Sequence, residues 1–259
     1  MRFAVLGSGS RGNATLIECD DTRVLLDCGF PLREAERRLA AIDVHPRDLT
    51  AIVVTHEHGD HIAGVPRLAQ RHGLEVWASP GTWKGACAGA GRRAGAGAVA
   101  RLRLFPSHAR RVRIGGLTLY PIPVPHDARE PCQFVFEGDG RRLGILTDAG
   151  TVTPRMCDAL RECDALMLEA NHDAELLRLG PYPASLQRRV GGAFGHLSNE
   201  QTAALLERVH HRALGKLLLS HLSQQNNRPE LARAAVQGVC GDLDIMVADQ
   251  DNGSGWIGV

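Results

Sequence analysis

The chain has 259 residues, a formal net charge of +1, 44% hydrophobic side chains and seven cysteines. That length buries a full core without staples. The odd cysteine count, with no CxxC pair, argues against a disulfide framework and for reduced thiols in a cytoplasm-like compartment. The opening MRFAVLGSGS lacks the pattern of a signal peptide, and no apolar stretch approaches a membrane span, so a cytoplasmic protein without a membrane partner is expected.

In chain order, periodicity predicts short strands over 3–6, 15–18 and 23–27, then a helix over 31–41 with Leu32, Ala35 and Leu39 on one side. A buried strand follows over 51–55, a helix over 62–71 and a strand over 75–78. Residues 85–100, GACAGAGRRAGAGAVA, are low-complexity and expected to be mobile in part. Strands then dominate, over 101–105, 111–114, 117–122, 133–137 and 142–146. The last third alternates helices near 153–161, 183–190, 199–210 and 229–238 with strands near 165–169, 216–220 and 244–248. The pattern suggests two sheets covered by helices on their outer faces. From Val76 to His126 there is no acidic residue, while Lys84, Arg92, Arg93, Arg101, Arg103, Arg110, Arg111 and Arg113 supply positive charge. That stretch is either a face for a polyanion or a solvated surface with acidic neighbours from elsewhere in the fold.

Between the strand at 51–55 and the helix at 62–71 stands THEHGDH, residues 55–61. It places His56, His58, Asp60 and His61 on a tight loop at a strand's carboxyl end, where open α/β sheets gather their chemistry. Imidazoles with a carboxylate suit zinc. Glu57 alternates away from its neighbours and is expected beside the ligand set, not in it.

This HxHxDH run resembles the signature of the metallo-β-lactamase fold, an αββα four-layer sandwich that commonly holds two metals. The resemblance continues in order through Asp27 in VLLDCG, His126 in PVPHDA, Asp148 in LGILTDAG and His221 in LLLSHLS. It implies one metal site of His56, His58 and His126, a second of Asp60, His61 and His221, Asp148 joining the two, and Asp27 orienting ligands. His108 competes for the role of His126, which the preceding apolar strand and the HDA context favour. Two divalent ions are implied, zinc first and manganese as the alternative.

Further segments, LGSGSRGNAT, LEANHD, GPYPASLQRRV, GHLSNE and SHLSQQNNRP, resemble the WalJ/YycJ (VicX-like) group of such hydrolases, over residue 3 to about residue 248. The resemblance implies a nuclease with DNA favoured as substrate, a 5'-to-3' exonuclease on the duplex. Glu169 and His196 match the glutamate and histidine of transfer-RNA-processing nucleases of this fold, which implies Glu169 as orienter and His196 as general acid or phosphate clamp. Ser10, Arg11 and Asn13 in the glycine-rich loop, with Asn171, Asn226 and Asn227, are the expected substrate contacts. The loop's glycines would let backbone N–H groups converge on a phosphate. The short span between Asp148 and His221 leaves no room for a capping insertion, so 1–259 is expected to be a single hydrolase domain with an open site. A hydroxide shared by the metals would attack the phosphate, Asp60 holding or accepting its proton and His196 protonating the leaving oxygen. The rival expectation is hydrolysis of a small thioester or lactone, as in glyoxalase II-like relatives, which needs the metal loop but neither Glu169–His196 nor an Arg-rich face. Oligomeric state is not specified by these motifs.

Overall fold

The computed structural model of the chain describes residues 1–89, 95, 97, 99–241 and 243–259. Strands β1 (Arg2–Gly7), β2 (Ala14–Cys19) and β3 (Thr22–Leu26) form an antiparallel meander. Helix α1 (Leu32–Ala40) then leads to β4 (Ala51–Val53), the one-turn helix α2 (Gly59–Ile62), α3 (Val65–His72), β5 (Glu75–Ala78), α4 (Pro80–Ala88) and β6 (Leu102–Leu104). With β14 (Trp256–Gly258) these make a seven-stranded sheet of order β14-β1-β2-β3-β4-β5-β6.

The second sheet takes the meander β7 (Val112–Ile114), β8 (Leu117–Pro123), β9 (Cys132–Gly138) and β10 (Arg141–Leu146), then the parallel strands β11 (Ala165–Glu169), β12 (Lys216–Ser220) and β13 (Asp244–Val247). Its order is β13-β12-β11-β10-β9-β8-β7. Between its strands lie α5 (Pro154–Leu160), α6 (Ala174–Leu179), α7 (Ala184–Val190), α8 (Asn199–Val209) and α9 (Pro229–Cys240).

Alternation along the strands explains the layers, since successive side chains leave opposite faces. Val24, Leu26, Ala51, Val53, Leu143, Ile145 and Met167 meet in one core between the sheets. Their neighbours Leu25, Ile52 and Val54 turn outward onto Ala35 and Leu39 of α1 and Val65 and Leu68 of α3. Leu146, Leu166, Leu168 and Leu219 turn outward onto Met156 of α5, Leu205 and Leu206 of α8 and Val236 of α9. The result is the αββα sandwich that the sequence led us to expect, its strands covered on both faces and therefore reading as continuous apolar runs.

Three local expectations change. Residues 85–88 of the Ala/Gly stretch end helix α4, started by Ser79, whose hydroxyl accepts from Thr82 N, and by Pro80 at the first helical position. The remainder of that stretch at 90–94, 96 and 98, where mobility was expected, lies outside the described residues. The helix predicted over 62–71 is two helices: α2 starts at Gly59, taking Asp60 and His61 into a helical turn. The chain bends at Gly64, where a Cβ would stand 1.9 Å from Phe30 O. Helix α6, capped by Asp173, and the three-residue edge strand β14 were not foreseen, both being too short to show a period. No helix among the described residues is long and apolar enough to cross a membrane.

The motif loop is itself held by a close backbone approach. A Cβ on Gly29 would lie 1.9 Å from Asp60 O and 2.3 Å from Asp60 C. Gly29→Ala should therefore displace the turn carrying Asp60, cost about 1–3 kcal/mol and lower both the thermal midpoint and the metal content. Gly238, exposed on α9 with nothing within 4 Å of a built Cβ, is the control: Gly238→Ala should raise stability by about 0.5–1 kcal/mol. Equal midpoints for Gly29→Ala and wild type in a thermal melt would refute the steric reading.

Candidate metal centre

The residues singled out in the sequence converge where β3 and β4 of one sheet face β10, β11 and β12 of the other. Asp27 follows β3, Asp148 follows β10 and His221 follows β12, each in the left-handed region at φ 60°, 52° and 56°. Left-handed non-glycine residues are uncommon and concentrate at functional sites. Here the turn swings each side chain off its strand end toward the same point. At His221 the turn is pinned from both sides, its N–H donating to Ser8 Oγ at 2.7 Å and its C=O accepting from Asn171 Nδ2 at 2.9 Å.

Three overlapping groups have potential ligand atoms within 4.8 Å of one another: His56, His58 and His126; His56, His61 and Asp148; Asp60, His61 and His221. A fourth, Asp148, Glu169, His196 and His221, abuts them. The histidines are oriented by their second ring nitrogen. His56 Nδ1 bonds Thr55 Oγ1 at 2.9 Å, a hydroxyl that itself donates to Asp27 Oδ2 at 2.8 Å. His61 Nδ1 donates to Asp27 Oδ2 at 2.8 Å. His126 Nδ1 donates to Gly195 O at 3.0 Å, His58 Nε2 to Asp127 O at 3.3 Å, and His221 Nδ1 to Glu169 Oε1 at 3.0 Å. With one nitrogen donating outward, the other is aimed into the cluster, the arrangement that prepares imidazole for a metal.

Those inward nitrogens face each other. His126 Nε2 lies 3.2 Å from His58 Nδ1, and His56 Nε2, His221 Nε2 and Asp148 Oδ2 are buried with no hydrogen-bond partner. Buried acceptors without donors are costly. The donor set is therefore one that a divalent cation fits, and these residues could hold one. The electrostatics agree: burial and the neighbouring His61 push His56 well below its ordinary pKa. At His61, burial is outweighed by Asp148, Asp60 and Asp27, which raise it well above. At His221, burial is likewise overcome, mainly by Asp148, to about 10. The cluster's carboxylates pull positive charge inward.

Glu169 is fully buried and joins two histidines. Its Oε1 accepts from His196 Nδ1 at 2.7 Å and from His221 Nδ1 at 3.0 Å, while Oε2 accepts from Ala149 N at 2.9 Å and Leu197 N at 3.2 Å. Burial would raise its pKa, but His196 and His221 hold it at about 2. His196 lines a cleft of about 360 Å³ together with His58, Asp60, Asp127, Asp148 and His221. Burial lowers the His196 pKa, and Glu169 more than restores it, to above the ordinary value.

Several expected substrate contacts are spent on the protein instead. Asn13 gives its amide to Asp60 Oδ2 at 3.2 Å and His61 Nε2 at 3.0 Å. Asn227 exchanges amide bonds with Asn199 and donates to Ala170 O at 2.8 Å. Asn226 is fully buried against Ser223. Asn171 borders the cleft, but its Nδ2 holds His221. Arg11 faces outward and pairs with both carboxylate oxygens of Asp251 at 2.8 Å. Four N–H groups of the glycine-rich loop are spent within the protein. Gly9 N donates to Asn13 Oδ1, Arg11 N to Gln250 Oε1, Gly12 N to Gly9 O and Asn13 N to Asp60 O. Of that loop, Ser10 lines the cleft. Glu57 stands outside the clusters, accepting from Arg129 N and packing on Gly85. None of the described basic residues of 76–126 lines the cleft, and Arg101 and Arg103 pair with Glu75.

Sequence reasoning missed Thr55, Asp127, Ser8 and Arg189. The first two sit inside quoted motifs, THEHGDH and PHDA, and their chemistry was overlooked beside the histidines. Ser8 and Arg189 also lie in quoted segments, LGSGSRGNAT and GPYPASLQRRV, but nothing in those segments singled them out from their neighbours.

A family model described as a beta-lactamase superfamily domain matches residues 22–222. The chain is 34% identical over 240 residues to exodeoxyribonuclease YycJ of Bacillus anthracis, covering 92% of this chain and 89% of that protein. It is 34% identical over 246 residues to exodeoxyribonuclease WalJ of Streptococcus pneumoniae serotype 2, covering 95% and 90%. In fold it is similar to Zn(2+)-bound PqqB from Methylobacterium extorquens, with a TM-score of 0.76, 18% identity and full coverage of both chains.

Proposed function

Because the chain belongs to the beta-lactamase superfamily, in the group of the exodeoxyribonucleases YycJ and WalJ, we propose that it is a metal-dependent nuclease, and specifically a 5'-to-3' exonuclease on double-stranded DNA. The observation that carries this beyond a generic hydrolase is Glu169 Oε1 joined to both His196 and His221. A thioester hydrolase needs cations held by the loop; it does not need a second histidine tied to the same carboxylate and standing at the cleft.

The seven residues His56, His58, Asp60, His61, His126, Asp148 and His221 are our proposed ligands for two divalent ions, zinc favoured by the imidazole-rich set and manganese the alternative. Bound there, the ions would supply a water of lowered pKa and neutralisation of charge at the phosphate. The chain supplies the rest. Asp27, held by Thr55 N and Thr55 Oγ1 at 2.8 Å each, fixes the His61 ring. Asn13 and the backbone hold Asp60 in place at the cleft, where burial is outweighed by His61 and His221, which keep its carboxylate ionised and able to accept a hydrogen bond from a water there. His196 has Nδ1 committed to Glu169, leaving Nε2 to hold or deliver a proton at the leaving oxygen. We read 1–259 as one hydrolase domain without a capping insertion, since both sheets share one core and β14 returns to pair with β1.

End-labelled duplex DNA, single-stranded DNA, RNA and a generic thioester should be offered to zinc- and manganese-loaded protein. Shortening of the duplex from its 5' end is expected, abolished in His58→Ala. Turnover of the thioester alone would replace the nuclease assignment with the small-substrate one.

A further inference from the structure

Helix α7, Ala184–Val190, buries no residue, yet it borders the cleft through Leu186, Arg189 and Val190. Arg189 Nε donates to Asp127 Oδ2 at 2.6 Å. Among the described residues lining the cleft, Arg189 is the one with a permanently positive side chain, facing Asp60, Asp127 and Asp148. Asp127 Oδ1 stands 3.5 Å from both His58 Nε2 and His126 Nε2. One carboxylate thus sits at the edge of the histidine cluster with an arginine on its other side, an anion where a substrate's anion would have to come.

We propose that Arg189 binds a phosphate group of the substrate and that Asp127 holds its guanidinium in place until that phosphate displaces the carboxylate. The inference rests on the nuclease reading of the same site. A guanidinium presents a planar fork matched to phosphate oxygens, and the bond to Asp127 uses Nε. The pair is cheap to exchange, because Arg189 is 61% exposed and Asp127 30%, and exposed ion pairs contribute little. The position is also coupled to the proton donor: Val190 O accepts from His196 N at 2.8 Å. Arg189 and His196 therefore lie on two ends of one turn, and a phosphate held by the first is presented to the second.

The test is binding of a fluorescently labelled, phosphorothioate-linked DNA duplex to the zinc-loaded full chain, followed by anisotropy across a potassium chloride series, alongside cleavage of the ordinary duplex. Arg189→Ala should weaken binding about tenfold or more and make the salt slope shallower by about 0.9, the loss of one phosphate contact. Arg189→Lys should restore the slope with only part of the affinity, because an ammonium cannot form the fork. Asp127→Asn should bind up to about fivefold more tightly, its competing charge gone; a merely structural latch would weaken. A slope in Arg189→Ala equal to wild type, with cleavage persisting, overturns this assignment alone. Wild type that binds with an Arg189-dependent slope but cuts no nucleic acid overturns the nuclease reading and leaves the phosphate contact standing. Absence of both binding and cleavage removes both.

Discussion

Asp148→Asn should yield a folded protein that retains little metal and has lost at least ~10³-fold in phosphodiester cleavage, about 4 kcal/mol of transition-state stabilisation. Asp148 is 2% exposed and stands within 4 Å of four of the centre's histidines. Oδ2 is 3.1 Å from His61 Nε2, and Oδ1 is 3.3 Å from His221 Nδ1, 3.5 Å from His196 Nδ1 and 3.9 Å from His126 Nε2. Burial would raise its pKa, but His221 and His61 hold it well below the usual carboxylate range, so it is an anion. Asparagine keeps the volume and tolerates the left-handed backbone at φ 52°, which separates charge from fold. Elemental analysis of the purified variant should show depleted zinc or manganese, with circular dichroism unchanged. Full occupancy and a wild-type rate would show that Asp148 is not a ligand.

The second large effect separates Glu169 from His196. His196→Ala should lower cleavage by about 10²–10⁴-fold, the range for loss of a general acid, with metal content intact because His196 lies outside the seven proposed ligands. Glu169→Gln should do more. Its carboxylate accepts four bonds, from His196 Nδ1, His221 Nδ1, Ala149 N and Leu197 N. An amide has one acceptor oxygen, so its NH2 must face two of those donors. With the NH2 in the place of Oε1, the rings of His196 and His221 would both lose their acceptor, adding about 10–100-fold weaker metal binding to the catalytic loss. Metal titration and single-turnover cleavage on the two variants read these terms separately. Metal affinity in Glu169→Gln indistinguishable from that in His196→Ala would mean the glutamate serves one histidine only.

The legibility of this chain follows the range of its interactions. The strands were readable because unbroken apolar runs such as Val24–Leu25–Leu26 or Leu166–Met167–Leu168 are local; which of their side chains enters which core became visible only in the fold. The metal loop was readable because its density of imidazoles has no other economical explanation. Its helical turn over Gly59–Ile62 was not, because the turn packs against residues distant in sequence, Asp60 against Gly29 and Gly64 against Phe30 O. Helix α4 hid in an Ala/Gly run whose start signals, Ser79 and Pro80, stood outside the segment that drew attention.

By itself the sequence determined the layer architecture and the identity of the residues that meet between the strand ends, since side-chain chemistry and periodicity are properties of neighbouring residues. Only the tertiary structure decided which polar atoms remain available there. Asn13 is committed to Asp60 47 residues away and Asn171 to His221 50 residues away, whereas Arg189 reaches Asp127 across 62 residues to face the cleft. A hydrogen-bonding group buried on folding must find a partner wherever the chain brings one, and that partner is chosen by packing in space.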